Sequence, residues 1–325
     1  MLSTLFPLLT SMVSPGGERG RLTIVMYHRV MEQLDPLSPY TPTAEVFDRH
    51  METLANGFKV LPLSEAIERL RNGSLPRRAA CVTFDDGYRD NYTVAAPVLK
   101  RYGLPATIFV STGFLDGGRM WNDSVIEAVR RAPGSSIDAK DIGLGVHAVS
   151  DDLERSATIA KLLHQLKYLP TAERSEKVNE LCAIIGATMP MDLMLSTEEV
   201  RAARRANIEI GGHTVNHPIL TQIDDRQARS EIADSKAHLE QILREKITLF
   251  AYPNGRPNQD YLVRHAAMVK EAGFVAAVST ASGAAKSDSD LFQLPRYAPW
   301  DKLKLRLQLR LLQNLLRPPP NPAYS

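Results

Sequence analysis

Two short stretches carry residue types that could do chemistry. The first is Asp85-Asp86-Gly87, directly after the apolar run Cys81-Val82-Thr83-Phe84. β-Branched and aromatic residues make that run a buried strand. Gly87 lets the backbone turn, so both carboxylates sit at the strand's exit. Two adjacent anions repel, and both ionise readily only when they share a cation. The second stretch is His213-Thr-Val-Asn-His217, after Asn207-Ile-Glu-Ile210 and Gly211-Gly212. Pro218 biases His217 away from helical angles, so a loop or first turn brings two imidazoles together. Imidazole is the commonest metal ligand. Two histidines and one carboxylate form a standard catalytic set for zinc or a similar ion with an open position. Taken alone, each stretch also reads as a solvated turn or a pair of loop histidines. Their common place after buried strands favours one metal centre.

The elements that must position them alternate. Leu22–Tyr27, Phe58–Leu61, Ala106–Val110, Thr248–Tyr252, Phe274–Ser279 and Gln293–Tyr297 join the two strands above as candidate strands. Helical patterns fall near Thr41–Gly57, at Ser64–Gly73 with Ser64 as cap, and at Asp90–Tyr102, Asp224–Arg244 and Asn258–Ala272. Helix, glycine, then apolar strand is the signature of parallel β/α units. Seven or eight such units close a barrel, while an open doubly wound sheet is the alternative. From about residue 117 to 195 helical patterns appear without a convincing strand. Ser124-Val-Ile-Glu127 and Ser196-Thr-Glu-Glu199 both fit capping boxes there. This reads as a helical insertion on the face where a barrel does its chemistry.

A chain of 325 residues suits one large domain or two ordinary ones, and 44% hydrophobic residues can fill a core. The balance of 39 basic and 37 acidic residues argues against a nucleic-acid partner. Cys81 and Cys182 are too few and too far apart for a disulfide framework or a cysteine zinc site.

Thr83-Phe84-Asp85-Asp86-Gly87 followed by His213-Thr-Val-Asn-His217 resembles the polysaccharide deacetylases, carbohydrate esterase family four, whose core is the NodB homology domain. The similarity covers most of residues 22–299 apart from the insertion. The resemblance implies an α/β fold, a distorted (β/α) barrel of seven or eight units over residues 21–300. It implies one divalent metal, zinc foremost, with cobalt, nickel and manganese as alternatives. Asp86, His213 and His217 match the family's metal ligands, and Asp85 matches its catalytic base. The implied reaction removes acetyl groups from N-acetylated sugars, or O-acetyl groups in some members. A carbohydrate-binding pseudoenzyme of the same fold is the contrasting expectation, because two family motifs are altered. Where members often carry Arg-x-Pro-Tyr, this chain has Phe250-Ala251-Tyr252-Pro253-Asn254-Gly255, and no histidine follows His265 to supply the usual Leu-x-His acid.

Among the histidines outside the motif, only His28 directly follows a candidate barrel strand; His50, His164, His238 and His265 fall in helical patterns. His28 is therefore the candidate to protonate the leaving amine or bind substrate, against packing at the barrel rim. Tyr252 and Asn254 are candidate substrate-binding residues on the altered motif. Arg296, with Tyr297, either contacts substrate, steadies Asp85 in place of the missing arginine, or lies exposed. Trp121 offers a face to a sugar ring and Asp123 could bind hydroxyls, or Trp121 fills a gap at a helix start.

The termini form two tails, residues 1–20 and 301–325. Leu2–Val13 is apolar but too short to span a bilayer, and no Lys or Arg precedes it as in an export signal. Lys302, Arg306, Arg310 and Arg317 gather on one side of a helical reading, opposite Leu303, Leu307, Leu311 and Leu315. Such a helix packs on its own barrel or lies peripherally on an anionic membrane. Pro318-Pro-Pro-Asn-Pro322 reads as extended or disordered. These features favour a cytoplasmic or membrane-peripheral location, with the periplasm left open by the resemblance to envelope glycan enzymes.

Overall fold

The computed structural model describes residues 2–317, 322 and 323, with side chains from residue 5 onward. In chain order the first half runs α1 (Leu2–Val13), β1 (Thr23–Tyr27), α2 (Ala44–Gly57), β2 (Lys59–Val60), α3 (Leu63–Arg71), β3 (Ala79–Phe84), α4 (Ala96–Tyr102) and β4 (Ala106–Val110). The insertion contributes α5 (Trp121–Arg131), β5 (Ser136–Ala139), β6 (Gly145–Ala148), α6 (Asp152–Leu166) and α7 (Thr171–Ile185). The chain then returns through α8 (Thr197–Arg205), β7 (Ile208–Gly212), α9 (Asp225–Leu243), β8 (Leu249–Ala251), α10 (Val263–Glu271), β9 (Ala276–Val278) and α11 (Lys304–Leu316).

The central sheet is parallel and curled, in the order β1-β3-β4-β7-β8-β9, with β2 beside the start of β3. Side chains alternate between two apolar cores. Val82, Phe84, Ile108 and Val110 enter one, and Cys81 and Phe109 the other. Residues 294–297 bring the sheet's edges together. The Leu294 and Ser279 amides exchange bonds with Ala277 and Leu294 carbonyls at 2.9 and 2.8 Å, and Tyr297 exchanges bonds with Ile24 and Met26 at 2.8 and 2.9 Å. The seam holds single bridges rather than the strand expected over Gln293–Tyr297. Pro295 has no amide hydrogen to continue a ladder. The fold is the distorted barrel the sequence leads one to expect.

Several local expectations are corrected. The insertion is not purely helical: β5 and β6 pair as an antiparallel hairpin. Strands of four residues around Gly143 and Gly145 leave too short a pattern to read from sequence. The hairpin and α5, α6 and α7 bury their own cluster, including Val125, Val129, Leu162, Leu166 and Leu181. Ser124 does not cap α5. It lies inside the helix and donates to the Met120 carbonyl at 3.1 Å. Ser64 does not cap α3 either, because the Glu209 carboxylate of β7 takes the Leu63 amide at 2.7 Å. The stretch from Asp90 opens as one wide π turn before α4. The helix expected from Asn258 starts at Val263, with Asp260 held in a turn by the Arg256 amide at 3.0 Å. The Ser196–Glu199 capping box is present as read.

Both terminal stretches are helices that pack on the body of the protein. α1 lies against α2 and α11. Phe6 is buried over Gly57, where any Cβ would strike its ring. Leu307, Leu311 and Leu315 of α11 are buried, while Lys304 pairs with Glu52 and Arg310 with Asp301. Leu8 and Met12 of α1 and Leu305, Leu309 and Leu316 of α11 stay exposed. No described helix is long and apolar enough to cross a membrane. Pro318–Asn321 lies outside the described residues.

Candidate metal centre and catalytic cleft

The exits of β3 and β7 bring the two motifs together. One oxygen of Asp86, Oδ1, lies 3.3 Å from Nε2 of His213 and 3.3 Å from Nε2 of His217. One atom from each of the three side chains lies within 4.8 Å of the other two. Asp86 Oδ1 is buried with no hydrogen-bond partner among the described residues. His213 Nδ1 lies 2.7 Å from the Ala251 carbonyl, so it donates there and its Nε2 lone pair faces Asp86. An orphaned carboxylate oxygen beside two imidazole nitrogens, one in a fixed tautomer, is a donor set that fits a divalent cation.

The loops that hold these groups are strained. Asp86, Thr214, His217 and Asn254 all take left-handed backbone angles, with φ of 77°, 65°, 52° and 57°. Each costs about 1–2 kcal/mol for a non-glycine residue and persists only where the surroundings insist on it. Glu231 of α9 does so for the histidine loop. Its carboxylate accepts from the amides of Val215 and Asn216, both at 2.8 Å. Sequence reading missed Glu231, since a lone acid in a polar helix carries no signal of its target.

Asp85 sits in a different environment from its neighbour. Arg296 grips it with two bonds, Nη1 to Oδ1 at 2.7 Å and Nη2 to Oδ2 at 2.6 Å. Arg296 Nε donates to the Ser279 carbonyl at 2.8 Å, so the guanidinium cannot swing away. Burial by itself would raise the Asp85 pKa; the Arg296 charge and then His213 outweigh it and hold the carboxyl below its usual range. Asp86 is also held low against burial, by the adjacent His213 and His217 imidazoles. Burial pulls His217 down to about 4. Burial acts the same way on His213, but the Asp86 and Asp85 carboxylates beside it bring the net shift upward.

A cleft of about 370 Å³ opens over these groups, lined by His28, Asp85, Asp86, Trp121, His213, His217 and Asn254. Tyr252 is not among its walls. It is buried, its hydroxyl donates to the Phe292 carbonyl at 2.8 Å, and its ring stacks on Tyr261 at 3.9 Å. Arg296 is 1% exposed and spent on Asp85, so it supports the carboxylate rather than meeting a ligand. Asp123 is turned inward, where both oxygens accept from the Tyr88 hydroxyl at 3.1 and 3.0 Å, and burial pushes its pKa up to about 7. The insertion contributes walls that were not anticipated, namely Leu163, His164, Lys167 and Arg174. His164, in the last turn of α6, and Lys167, the residue that caps its end, are three apart and so share one face.

Fold and site together define a β/α barrel with an acid–histidine cluster and an arginine-clamped carboxylate at its strand exits. The family model for polysaccharide deacetylases matches residues 72–277, more than half of the chain, and the chain belongs to that family. It is 27% identical over 278 residues to the Bacillus subtilis (strain 168) protein named "Putative polysaccharide deacetylase YxkH", covering 85% of this chain and 70% of that one. Over 119 residues it is 31% identical to the poly-β-1,6-N-acetyl-D-glucosamine N-deacetylase of Staphylococcus epidermidis, covering 32% of this chain and 41% of that one. In fold it is similar to the Streptococcus pyogenes deacetylase PplD solved with acetate, with TM-score 0.60, 22% identity, and coverage of 91% and 98%. It is also similar to IcaB from Ammonifex degensii, with TM-score 0.56, 20% identity, and coverage of 90% and 98%.

Proposed function

We propose that the chain is a metal-dependent hydrolase that cleaves the acetamide of an N-acetylated sugar in a polysaccharide or glycan precursor. Residues 21–300 form its barrel, and residues 117–195 an insertion that walls the cleft. The observation that carries this reading is the partnerless Asp86 Oδ1, 3.3 Å from two imidazole nitrogens. Asp86, His213 and His217 would hold one divalent ion, zinc foremost, with cobalt, nickel or manganese as alternatives. When bound, such an ion polarises the acetyl carbonyl and lowers the pKa of water. Asp85 is kept ionised by Arg296 and so can take a proton from a water that attacks the acetyl carbonyl, since each of its oxygens has a second lone pair. His28, exposed in the cleft, is placed to return a proton to the departing amine. Trp121 offers a flat face to a sugar ring, and Asn254 and the insertion narrow the cleft around it. The Staphylococcus epidermidis relative is named for a polymer of N-acetylglucosamine, which supports an amino-sugar substrate.

The test is metal content together with acetate released from acetylated glucosamine oligomers. Stoichiometric metal with acetate release is expected, and Asp85→Asn should abolish release while leaving the metal bound. Metal-loaded protein that releases nothing from amide or ester substrates would instead fit the carbohydrate-binding pseudoenzyme. Release from O-acetyl esters alone would make it an esterase. Loss of release in His28→Ala at unchanged metal content would support the proton-donor role, and full turnover would remove it.

A further inference from the structure

Beside the cleft lies a second hollow of about 420 Å³, and the two share Trp121 and Arg174 as a common wall. Asn216 and Pro218, which flank His217, line this second hollow. Arg174 is unusual in it. The residue is only 5% exposed. Its guanidinium lies 4.9 Å from the centre of the Trp121 ring. Nη1 donates to the Lys167 carbonyl at 3.2 Å, and Nε is buried with no partner among the described residues. Every other arginine whose pKa is shifted is raised by an acidic partner. Arg174 is lowered, by burial, and forms no ion pair among the described residues. A second arginine on the same wall, Arg119, spends Nε on the Ser124 hydroxyl and Nη1 on the Pro190 carbonyl, both at 2.9 Å; its charge is felt by the buried Asp123 carboxylate, but the two form no ion pair. The carboxylate that does line the hollow, Glu231, is occupied by the histidine loop. A buried cation without an anion destabilises a protein unless something brings the missing charge. A planar guanidinium with a free edge suits a carboxylate or a phosphate.

We infer that this hollow receives an anionic group of the glycan, a carboxylate or a phosphate, carried next to the acetamido sugar held over the metal centre. The inference rests on the proposed hydrolase reading, and it narrows the substrate from any acetylated glycan to an acidic one. Trp121 then serves both hollows, with one face toward the sugar and the other against Arg174.

The test is calorimetric binding, which needs no turnover. Three probes are compared on the wild-type protein: tetra-N-acetylchitotetraose, a hyaluronan tetrasaccharide bearing glucuronate, and N-acetylglucosamine 1-phosphate. At least one acidic probe should bind about tenfold or more tightly than the neutral one, with an advantage that shrinks as salt is raised. The probe that wins distinguishes carboxylate from phosphate. Arg174→Gln should erase the advantage, bringing the ratio of acidic to neutral affinity to about one, whatever it does to the neutral probe itself; if that variant does not fold, Arg119→Gln should reduce the ratio. Equal or weaker binding of both acidic probes by the wild type would overturn the inference, as would an advantage that survives in folded Arg174→Gln. Binding with the expected preference but no acetate release from any probe would sink the hydrolase reading and leave the anion site standing.

Discussion

Arg296→Gln removes one partner of the most buried ion pair at the site. Asp85 and Arg296 are 2% and 1% exposed and joined by two bonds of 2.7 and 2.6 Å. Breaking a buried pair from one side costs about 3–5 kcal/mol, because the remaining charge is stranded. An arginine at this distance lowers an aspartate's pKa by about 1–3 units. Without it, burial should raise the Asp85 pKa by about that much. The carboxylate proposed as the base would then be protonated at a higher pH, so the acid limb of acetate release should move up by about 1–3 units. Arg296→Lys keeps the charge but not the two-pronged geometry, and should fall between. Stability separates support from simple damage: Asp85→Asn with Arg296→Gln should cost less than the sum of the single changes by about 1–3 kcal/mol, since no charge is left stranded. A folded, metal-loaded Arg296→Gln protein whose acid limb coincides with the wild type would refute the reasoning, as would strictly additive denaturation energies.

Three further outcomes are expected. His265 accepts the Leu262 amide through Nδ1 at 3.1 Å, and its Nε2 is buried without a partner among the described residues; burial lowers its pKa to about 4. The unfolded chain therefore binds the extra proton first. Stability is full above about pH 6.5 and falls by about 1–2 kcal/mol as pH drops from 7 to 5; His265→Gln keeps the acceptor and should flatten that part of the denaturation profile. Chelation should lower the melting temperature of metal-loaded protein, by the equivalent of about 2.7 kcal/mol if free metal had stood at 100 times its dissociation constant, whereas His217→Ala should show no such response. The exposed leucines of α1 and α11 should bring the protein to anionic vesicles in a flotation assay if the peripheral-membrane reading holds, and Leu8→Ser with Leu309→Ser should release it.

Much of the barrel could be read because glycine and apolar runs mark parallel units, and β3 and β7 each end in a short motif. The Asp86–His213–His217 grouping followed from residue type plus a common strand exit. What could not be read lay in contacts between distant elements. Glu209 caps α3 from another strand, so the local Ser64 signal misled. Tyr252 is adjacent to the cleft loop in sequence, yet strand alternation and Tyr261 draw it inside. Arg296 was visible as a charge in a strand-like run, but nothing local tells whether such a charge faces solvent, ligand or carboxylate. The walls from α6 and α7 were hidden because an insertion's sequence does not state which way it folds back.

The seam that completes the ring has a consequence for assembly. Residues 294–297 zip β9 to β1, and the same four residues carry Arg296, 211 positions away from the acid it grips. A ribosome-bound chain that has made both motifs but not this seam can gather its histidines while Asp85, the proposed base, still lacks a counterion. Competence is thus tied to one of the most long-range, and so slowest, docking events in the molecule. In refolding followed by tryptophan fluorescence and by acetate release, activity should return no earlier than ring closure.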